Sequence, residues 1–303
     1  MATYIDPFTD FGFKRIFGSE ESKPLLISFL NDLLPITDKI VSLNFNKNEY
    51  TGMLKEDRKA IFDIHCKDEK DNMFIVELQR AGQTYFQDRA LYYTSFPIRE
   101  QATRGDWNFQ LTPIYFVGIL NFKVNDFKDD NYLHYGQITD RDTNNVMYDK
   151  LSFIYIELPK FKKTEKELSN HLEKWLWFFN ELSELDEIPE GFKEDIIEKA
   201  FSLSELATMN PEKRKEYELS LKHYRDWVNT LDTAEAKGLE KGLAKGLEKG
   251  LAKGLEQGLE QGREEGEYKR NLEVAKNLLK SNIELDTIRL ATGLEIEEIK
   301  NLK

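Results

Sequence analysis

Hydrophobic positions in the first part of the chain alternate between helical spacing and strand spacing. Residues 8–34 carry apolar side chains three and four positions apart, which predicts two helices. Residues 60–66 and 73–79 alternate between apolar and polar side chains, as β-strands do. Because only the short polar segment 67–72 separates these two strands, the pattern predicts a β-hairpin.

Three further segments continue the pattern beyond the hairpin. Residues 84–104 have helical spacing with a kink or reset at Pro97, whose ring does not fit a regular helix interior. Residues 113–122 and 151–158 are almost continuously apolar, as is typical of strands buried on both faces. The order helix, hairpin, helix, strand, strand predicts an α/β fold with a mixed sheet flanked by helices.

The second part of the chain is predicted to be all-helical and contains an internal repeat. Glycine recurs at every fourth position from Gly238 to Gly266, and leucine follows the first six of these glycines. A period of four residues advances a helix by about 400°, so the Gly-Leu stripe moves around the helix by about 40° per repeat. Glycine costs about 1 kcal/mol per helical position, yet small residues allow helices to approach closely. The repeat is therefore either a self-associating helical stalk or a flexible linker.

Residues 283–302 predict two short helices about a turn at Thr292-Gly293, which has the outline of a helix-turn-helix. Glutamates at 295, 297 and 298 would repel the phosphates of DNA. Packing or oligomerisation is therefore favoured over DNA recognition for this unit. The predicted domains are a core at 1–160, a helical extension at 161–232, the Gly-Leu tetrad repeat at 233–267 and a small C-terminal unit at 268–303.

Charge and cysteine content narrow the class of protein. The formal net charge of −12 argues modestly against nucleic acid, although the carboxylates of a metal site themselves add negative charge. Cys66 is the single cysteine, so it forms no internal disulfide, and it lacks the spacing of a zinc site. The first ten residues do not resemble a signal peptide, and no stretch approaches the ~20 apolar residues of a membrane span. These features predict a cytoplasmic protein with no membrane association.

The hairpin carries the strongest candidates for catalytic and metal-binding residues. Asp63 and Glu77 lie on its two strands, and Gln79 projects to the same face as Glu77 because strand side chains alternate. Metal-assisted hydrolysis of a phosphodiester requires oxygen ligands that converge from neighbouring elements. Acids on a hairpin more often face solvent. Here, however, apolar neighbours place both acids within buried strands, where an unpaired charge is costly.

Several segments in this order resemble one known family, the Rpn family of recombination-promoting nucleases and transposases in the PD-(D/E)xK superfamily. The similar segments cover about residues 4–160: Asp6-Pro-Phe-Thr-Asp10-Phe-Gly-Phe-Lys14-Arg-Ile-Phe-Gly18, Phe62-Asp63 through Glu77-Leu-Gln79-Arg80, Asp88-Arg89 to Gln101, and Pro113-Ile-Tyr-Phe-Val117. No Ser-His-Asp, phosphate-loop or dinucleotide pattern competes with this assignment.

The resemblance implies a restriction-endonuclease-like core that cleaves DNA with Mg²⁺ or a related ion such as Mn²⁺ or Ca²⁺. Asp63, Glu77 and Gln79 would be the catalytic residues. The metal ligands would be Asp63, Glu77 and the backbone carbonyl of Leu78. Gln79 stands where the superfamily pattern has lysine, and an amide orients water or a phosphate oxygen without supplying positive charge.

Supporting roles are predicted for Asp10, Lys14 and Arg89. A structural alternative exists for the Asp10–Lys14 pair and for Arg89. Asp10 either completes the metal site from the first helix or only pairs with Lys14 one turn later. Arg89 either contacts a phosphate from the helix after the hairpin or forms a structural salt bridge.

The predicted function is therefore a Mg²⁺-dependent deoxyribonuclease, a hydrolase that cuts phosphodiester bonds within DNA in recombination or a transposon-like activity. DNA is the predicted partner, together with further copies of the chain that associate through the C-terminal region. The alternative is a catalytically silent, nuclease-like interaction protein that assembles through its repeat. The sequence does not separate DNA from RNA as the substrate.

Overall fold

A mixed β-sheet is the framework of the first of two units into which the chain divides, Met1–Asp226 and Trp227–Lys303. The computed structural model describes residues 2–50, 60–82, 85–102, 108–193 and 195–302. In chain order its strands are β1 Leu43–Phe45, β2 Glu49–Tyr50, β3 Ala60–Ile61, β4 Ile64–Asp68, β5 Met73–Gln79, β6 Ile114–Leu120, β7 Leu133–Thr139 and β8 Val146–Glu157.

Among the described residues, six of these strands form one sheet in the order β1-β4-β5-β6-β8-β7, and β2 pairs with β3 separately. β4 and β5 form the antiparallel hairpin, whereas β5, β6 and β8 run parallel. Parallel neighbours need a crossover, and between β5 and β6 the described part of that crossover contains the helix Phe86–Glu100. The carboxyl ends of the three parallel strands therefore meet at one edge of the sheet, with Gln79, Leu120 and Glu157 in register.

Helices cover both faces of the sheet in the first unit. The α-helices of the described chain are α1 Asp10–Phe17, α2 Lys23–Leu33, α3 Phe86–Glu100, α4 His171–Glu181, α5 Asp195–Ser204, α6 Pro211–Lys280, α7 Leu285–Thr292 and α8 Ile296–Lys300. Thr9 begins α1 by accepting a hydrogen bond at its side chain from the Gly12 N–H at 2.9 Å, which satisfies one of the free amides of the first turn.

The larger hydrophobic core lies between the sheet and helices α1, α2, α4 and α5. Aromatic rings dominate it: Phe17 stacks on Phe29 at 5.1 Å between ring centres, and Trp175 lies 5.6 Å from Phe17. All three side chains are fully buried. Burying each such side chain contributes roughly 1.5–3 kcal/mol, so this core fixes the helices on one face of the sheet.

A smaller core on the opposite face holds α3 against the sheet. Phe86 of α3 packs edge-on against Tyr155 of β8 at 5.5 Å, and it passes directly over Gly118 of β6. A Cβ atom at Gly118 would stand 3.1 Å from the Tyr155 ring and 3.2 Å from the Phe86 ring. Glycine at this position therefore allows the start of α3 to lie close to the sheet.

The predicted fold class is confirmed, a mixed sheet flanked by helices with a helical C-terminal region. Three details of the strands differ. β4 begins at Ile64, because the chain bends at Phe62 and Asp63 instead of continuing as one strand from residue 60. β8 begins at Val146, and β7 was not predicted at all. Pro97 lies inside α3, and the predicted ends of that helix at 84 and 104 lie outside the described residues.

Strand β7 escaped prediction because it lies at the edge of the sheet. Its side chains are half-buried or exposed throughout, so the sequence has no buried face to produce a regular alternation. Exposure also continues through the first four residues of β8, with which β7 pairs.

In the second unit, the Gly-Leu repeat is entirely within α6. Each leucine from Leu239 to Leu259 in the repeat remains about two-thirds exposed. A Cβ on any repeat glycine would have no described atom within 4 Å apart from its chain neighbours and the nearby backbone of the same helix. Contacts of the described chain with itself therefore do not explain the leucine stripe.

A small core closes the C-terminal end of the chain, formed by Ala275, Ile288, Leu294 and Ile299. Gly293 links α7 to α8 with a φ of 72°, the left-handed conformation that glycine adopts without strain. The division of the chain at residues 160, 232 and 267 stays a proposal. None of the described helices combines the length and the apolar character that a membrane crossing requires.

We expect Gly118→Ala to destabilise the protein by about 1–3 kcal/mol, because the added methyl group overpacks Tyr155 and Phe86. Chemical denaturation followed by circular dichroism measures the change. Gly136→Ala in β7 is the matched control, since its Cβ would make ordinary contacts at 3.5 Å or more. Equal unfolding midpoints for the two variants would show that α3 does not depend on a close approach at Gly118.

Candidate active site

Asp63 and Glu77 face each other across the open end of the hairpin. The Asp63 N–H donates a hydrogen bond to Glu77 Oε1 at 3.0 Å, and the Leu78 N–H donates to Asp63 Oδ2 at 2.8 Å. Each acid is thus held by a backbone amide of the opposite strand. Asp63 makes this contact from the bend that precedes β4.

Gln79 holds the second oxygen of Glu77. Its Nε2 donates to Glu77 Oε2 at 3.0 Å, and both side chains are buried, with 8% and 3% of their surface exposed. Side chains two residues apart on a strand share a face, which brings the amide to the carboxylate. The structure therefore brings together Asp63, Glu77 and Gln79 as the hairpin pattern predicts.

Burial makes the charged forms of both acids unfavourable in the metal-free protein. The pKa of Glu77 is raised from 4.5 to about 8, with burial as the largest cause and the nearby Asp63 charge as the second. Burial likewise raises the pKa of Asp63, while the hydrogen bond from Leu78 opposes that change. Two carboxylates in this state gain stability from a cation between them.

The first helix places Asp10 and Lys14 near Asp63. Lys14 Nζ lies 2.9 Å from Asp10 Oδ1 in an exposed i, i+4 pair. The Asp10 charge adds to the rise in the pKa of Asp63 that burial causes, and the Lys14 charge opposes it. The ion pair is therefore present, and ligation of a metal by Asp10 stays a proposal.

Arg89 approaches Glu77 from the other side, on α3. Its guanidinium lies 5.5 Å from the centre of the Tyr93 ring and 5.8 Å from that of Phe86. The charge of Arg89 opposes the rise in the pKa of Glu77 that burial causes. A phosphate near the two acids would thus meet a cation that aromatic rings hold in position.

Arg80 is a further cation that the spacing of the acids does not predict. It follows Gln79 directly, and its guanidinium lies 5.5 Å from the centre of the Tyr224 ring. Its charge opposes the burial-induced rise in the pKa of both Asp6 and Asp63. The sequence signal was the adjacency of Arg80 to Gln79, but only the fold brings Asp6 and Tyr224 to it.

The donor set suits a hard cation that keeps part of its water. Among the described residues, no three His, Cys, Asp or Glu side chains gather as a metal cage. Asp63 and Glu77 offer carboxylate oxygens, and Mg²⁺ is commonly bound through one or two carboxylates with waters in its remaining positions. The residues present therefore fit Mg²⁺ or a similar ion better than zinc, which prefers four closed nitrogen or sulfur ligands.

Comparison with known proteins agrees with this geometry. A family model described as PD-(D/E)XK nuclease family transposase matches residues 7–234, a range that contains every site residue named above except Asp6. No curated protein and no solved structure matches the chain. The family match extends over more than half of the chain, and the mixed sheet agrees with the fold of this group. The protein therefore belongs to the PD-(D/E)XK nuclease family of transposases.

Proposed function

We propose that this protein is a cytoplasmic, metal-dependent DNA endonuclease with a role in recombination or transposon-like activity. The observation that carries the proposal is the buried pair Asp63 and Glu77, tied together by backbone hydrogen bonds and both with a raised pKa. Raised pKa values of adjacent carboxylates in a fixed geometry are typical of functional sites. Membership of a nuclease family supports hydrolysis of nucleic acid as the reaction.

The two acids would hold the cation, with the backbone carbonyl of Leu78 as a third oxygen and Asp10 as an additional candidate ligand. When bound, Mg²⁺, Mn²⁺ or Ca²⁺ would supply a more acidic water and neutralise charge on the scissile phosphate. Gln79 fixes the orientation of Glu77 and leaves its own carbonyl oxygen to position a water molecule.

Positive charge comes from outside the catalytic strand. Gln79 has no charge, whereas Lys14 and Arg80 oppose the rise in the pKa of Asp63 and Arg89 opposes the rise in the pKa of Glu77. These three cations lie on both sides of the hairpin end and would hold a phosphate backbone there. A locally basic edge of this kind reconciles DNA binding with a net charge of −12.

We also propose that the chain forms a homo-oligomer through α6. The exposed leucines of the repeat support this, because a helix with glycine at every fourth position needs contacts with a partner to offset the loss of helix propensity. The same observation supports the alternative function, a catalytically silent interaction protein that assembles through its repeat.

We expect purified protein to cut or nick plasmid DNA when Mg²⁺ is added. Asp63→Asn and Glu77→Gln should each lower the rate by at least about 100-fold, because partners of metal ligands alone contribute up to about that factor. Gel electrophoresis of the plasmid measures the rate, and an RNA of equal length tests the alternative substrate.

Asp142→Asn is the matched control for this experiment, since Asp142 is exposed in the turn between β7 and β8. Circular dichroism verifies that each variant is folded. Cutting that persists unchanged in both site variants would refute the site, and no cutting by the wild type would favour the silent interaction protein.

Stability of the metal-free protein should fall as the pH rises. Because the pKa of Glu77 is about 8 in the folded protein and near 4.5 in the unfolded chain, its contribution is complete below about pH 4.5 and is lost as the pH rises to about 8. The slope in this window is at most about 1.4 kcal/mol per pH unit. Urea denaturation in EDTA from pH 5 to pH 9 measures it.

Two comparisons make this pH experiment specific. Glu77→Gln, which has no titrating group at this position, should flatten the profile. Mg²⁺ should restore more stability at pH 8 than at pH 5, because the cation competes with protons for the carboxylates. A profile that is identical in wild type and Glu77→Gln would contradict the raised pKa.

Substitution of the leucine stripe should abolish self-association. In the full chain, Leu243→Lys, Leu247→Lys and Leu251→Lys together place charges on the proposed contact, and the mass measured by light scattering should fall to that of a monomer. A control with Glu240→Lys, Glu248→Lys and Glu256→Lys adds the same number of lysines to the same helix. A monomeric wild type, or equal effects of both triple variants, would rule out association through the leucines.

A further inference from the structure

The first unit contains a cavity that none of the roles proposed above uses. Its volume is about 480 Å³, and its walls are the first turn of α3 and the loop that follows β6. The lining side chains that matter here are Tyr85, Phe86, Asp88, Phe122, Lys123 and Asp126.

Each wall of the cavity is connected through the chain to a residue of the candidate active site. Asp88 directly precedes Arg89, the cation that approaches Glu77 from α3. The loop on the other side begins where the Asn121 N–H donates to the Gln79 carbonyl oxygen at 2.8 Å. Both walls of the cavity therefore begin beside residues of the candidate active site, Arg89 and Gln79.

Aromatic rings form the apolar part of the cavity. The Phe122 ring lies 6.0 Å from the Phe86 ring at 90°, and Gly82 lies so close that a Cβ there would be 3.5 Å from Phe122. Tyr85 is 75% exposed and has a φ of 71°, an uncommon conformation for a residue with a side chain. Exposed aromatic faces stack with bases, regardless of which base is present.

The loop after β6 is held in place by a buried ionic cluster. Glu157 is fully buried and accepts hydrogen bonds from the Val124 N–H at 2.6 Å and from His134 Nε2 at 2.8 Å, and it pairs with Lys160 at 2.6 Å. Lys160 also donates to the backbone oxygens of Phe127 at 3.2 Å and Asp129 at 2.8 Å. These bonds fix the loop from both of its ends, so the cavity wall is preorganised for a ligand.

The polar side chains of the cavity favour the base of a nucleotide over its phosphate. The described side chains of Asp88, Lys123 and Asp126 make no hydrogen bond or ion pair with one another or with other described groups. Two carboxylates against one ammonium repel a phosphate group. Carboxylates accept hydrogen bonds from the exocyclic amino groups of bases, as they do from cytosine in DNA recognition.

We propose that this cavity binds an unstacked base with an exocyclic amino group, in the nucleotide strand that the enzyme cuts. The proposal rests on the proposed nuclease function. The base stacks on Tyr85 and Phe122, and its amino group donates to Asp88 and Asp126. A base reaches the cavity only from a single strand or after leaving the duplex, which costs a few kcal/mol and is least costly at a mismatch or in a single strand.

Binding of mononucleotides to the full chain in EDTA tests the cavity without any cleavage. The probes are dCMP, dAMP, dTMP and deoxyribose 5-phosphate, measured by isothermal titration. We expect dCMP and dAMP to bind about 10-fold more tightly than dTMP or deoxyribose 5-phosphate. Tyr85→Ala should weaken dCMP binding by about 10-fold through loss of stacking. Asp88→Asn combined with Asp126→Asn should bring dCMP and dTMP to equal affinity.

Tyr148→Ala is the matched control, because Tyr148 is also exposed but lies near the start of β8, nine residues from Glu157 at the active-site edge. Equal binding of all four probes would overturn the proposal, as would equal affinities of the Tyr85 and Tyr148 variants. If the bases do not bind but Asp63-dependent cleavage persists, the cavity proposal fails and the nuclease assignment stands. If the bases bind in the expected order but the wild type cuts nothing, the base site is supported and the nuclease assignment fails.

Discussion

The pair of hydrogen bonds between Asp63 and the strand that carries Glu77 is the constraint on which the site depends. Each carboxylate accepts a hydrogen bond from a backbone amide at or next to the other acid, so neither acid can turn away without leaving a partly buried amide unpaired. An unpaired buried amide costs about 1–3 kcal/mol. The hairpin therefore holds two acids together although burial opposes the charge on both.

The parallel arrangement of β5, β6 and β8 extends this constraint to the rest of the edge. Because these strands end in register, Gln79, the Asn121 amide and Glu157 occupy neighbouring positions along one edge. The smaller hydrophobic core holds α3, the helix that carries Arg89, against the sheet. The two acids and Gln79 are thus positioned by the sheet itself, whereas α3 and the loop after β6 supply Arg89 and the cavity walls.

Local sequence pattern predicted the parts of this arrangement that depend on neighbours in the chain. The hairpin, the shared face of Glu77 and Gln79 and the Asp10–Lys14 pair all follow from spacings of two to four residues or from a short turn. The pattern could not predict β7, whose exposed edge position removes the alternation, or the bend at Asp63, which exists because of contacts with β5. The pattern also could not predict two clusters, Arg80 near Asp6 and Tyr224, and Glu157 with His134 and Lys160. Their members are distant in sequence or are brought together by a loop whose path the sequence does not reveal.

The four-residue period of the repeat in α6 couples the length of the helix to the direction in which its exposed leucines point. Each added tetrad lengthens the helix by about 6 Å and turns its exposed leucines by about 40°. Over the repeat from Gly238 to Gly266, the first and last leucines consequently point in widely different directions. A partner helix has to wind around α6 to follow them. A gain or loss of one tetrad therefore changes both the length of α6 and the direction in which its last leucine points relative to its first.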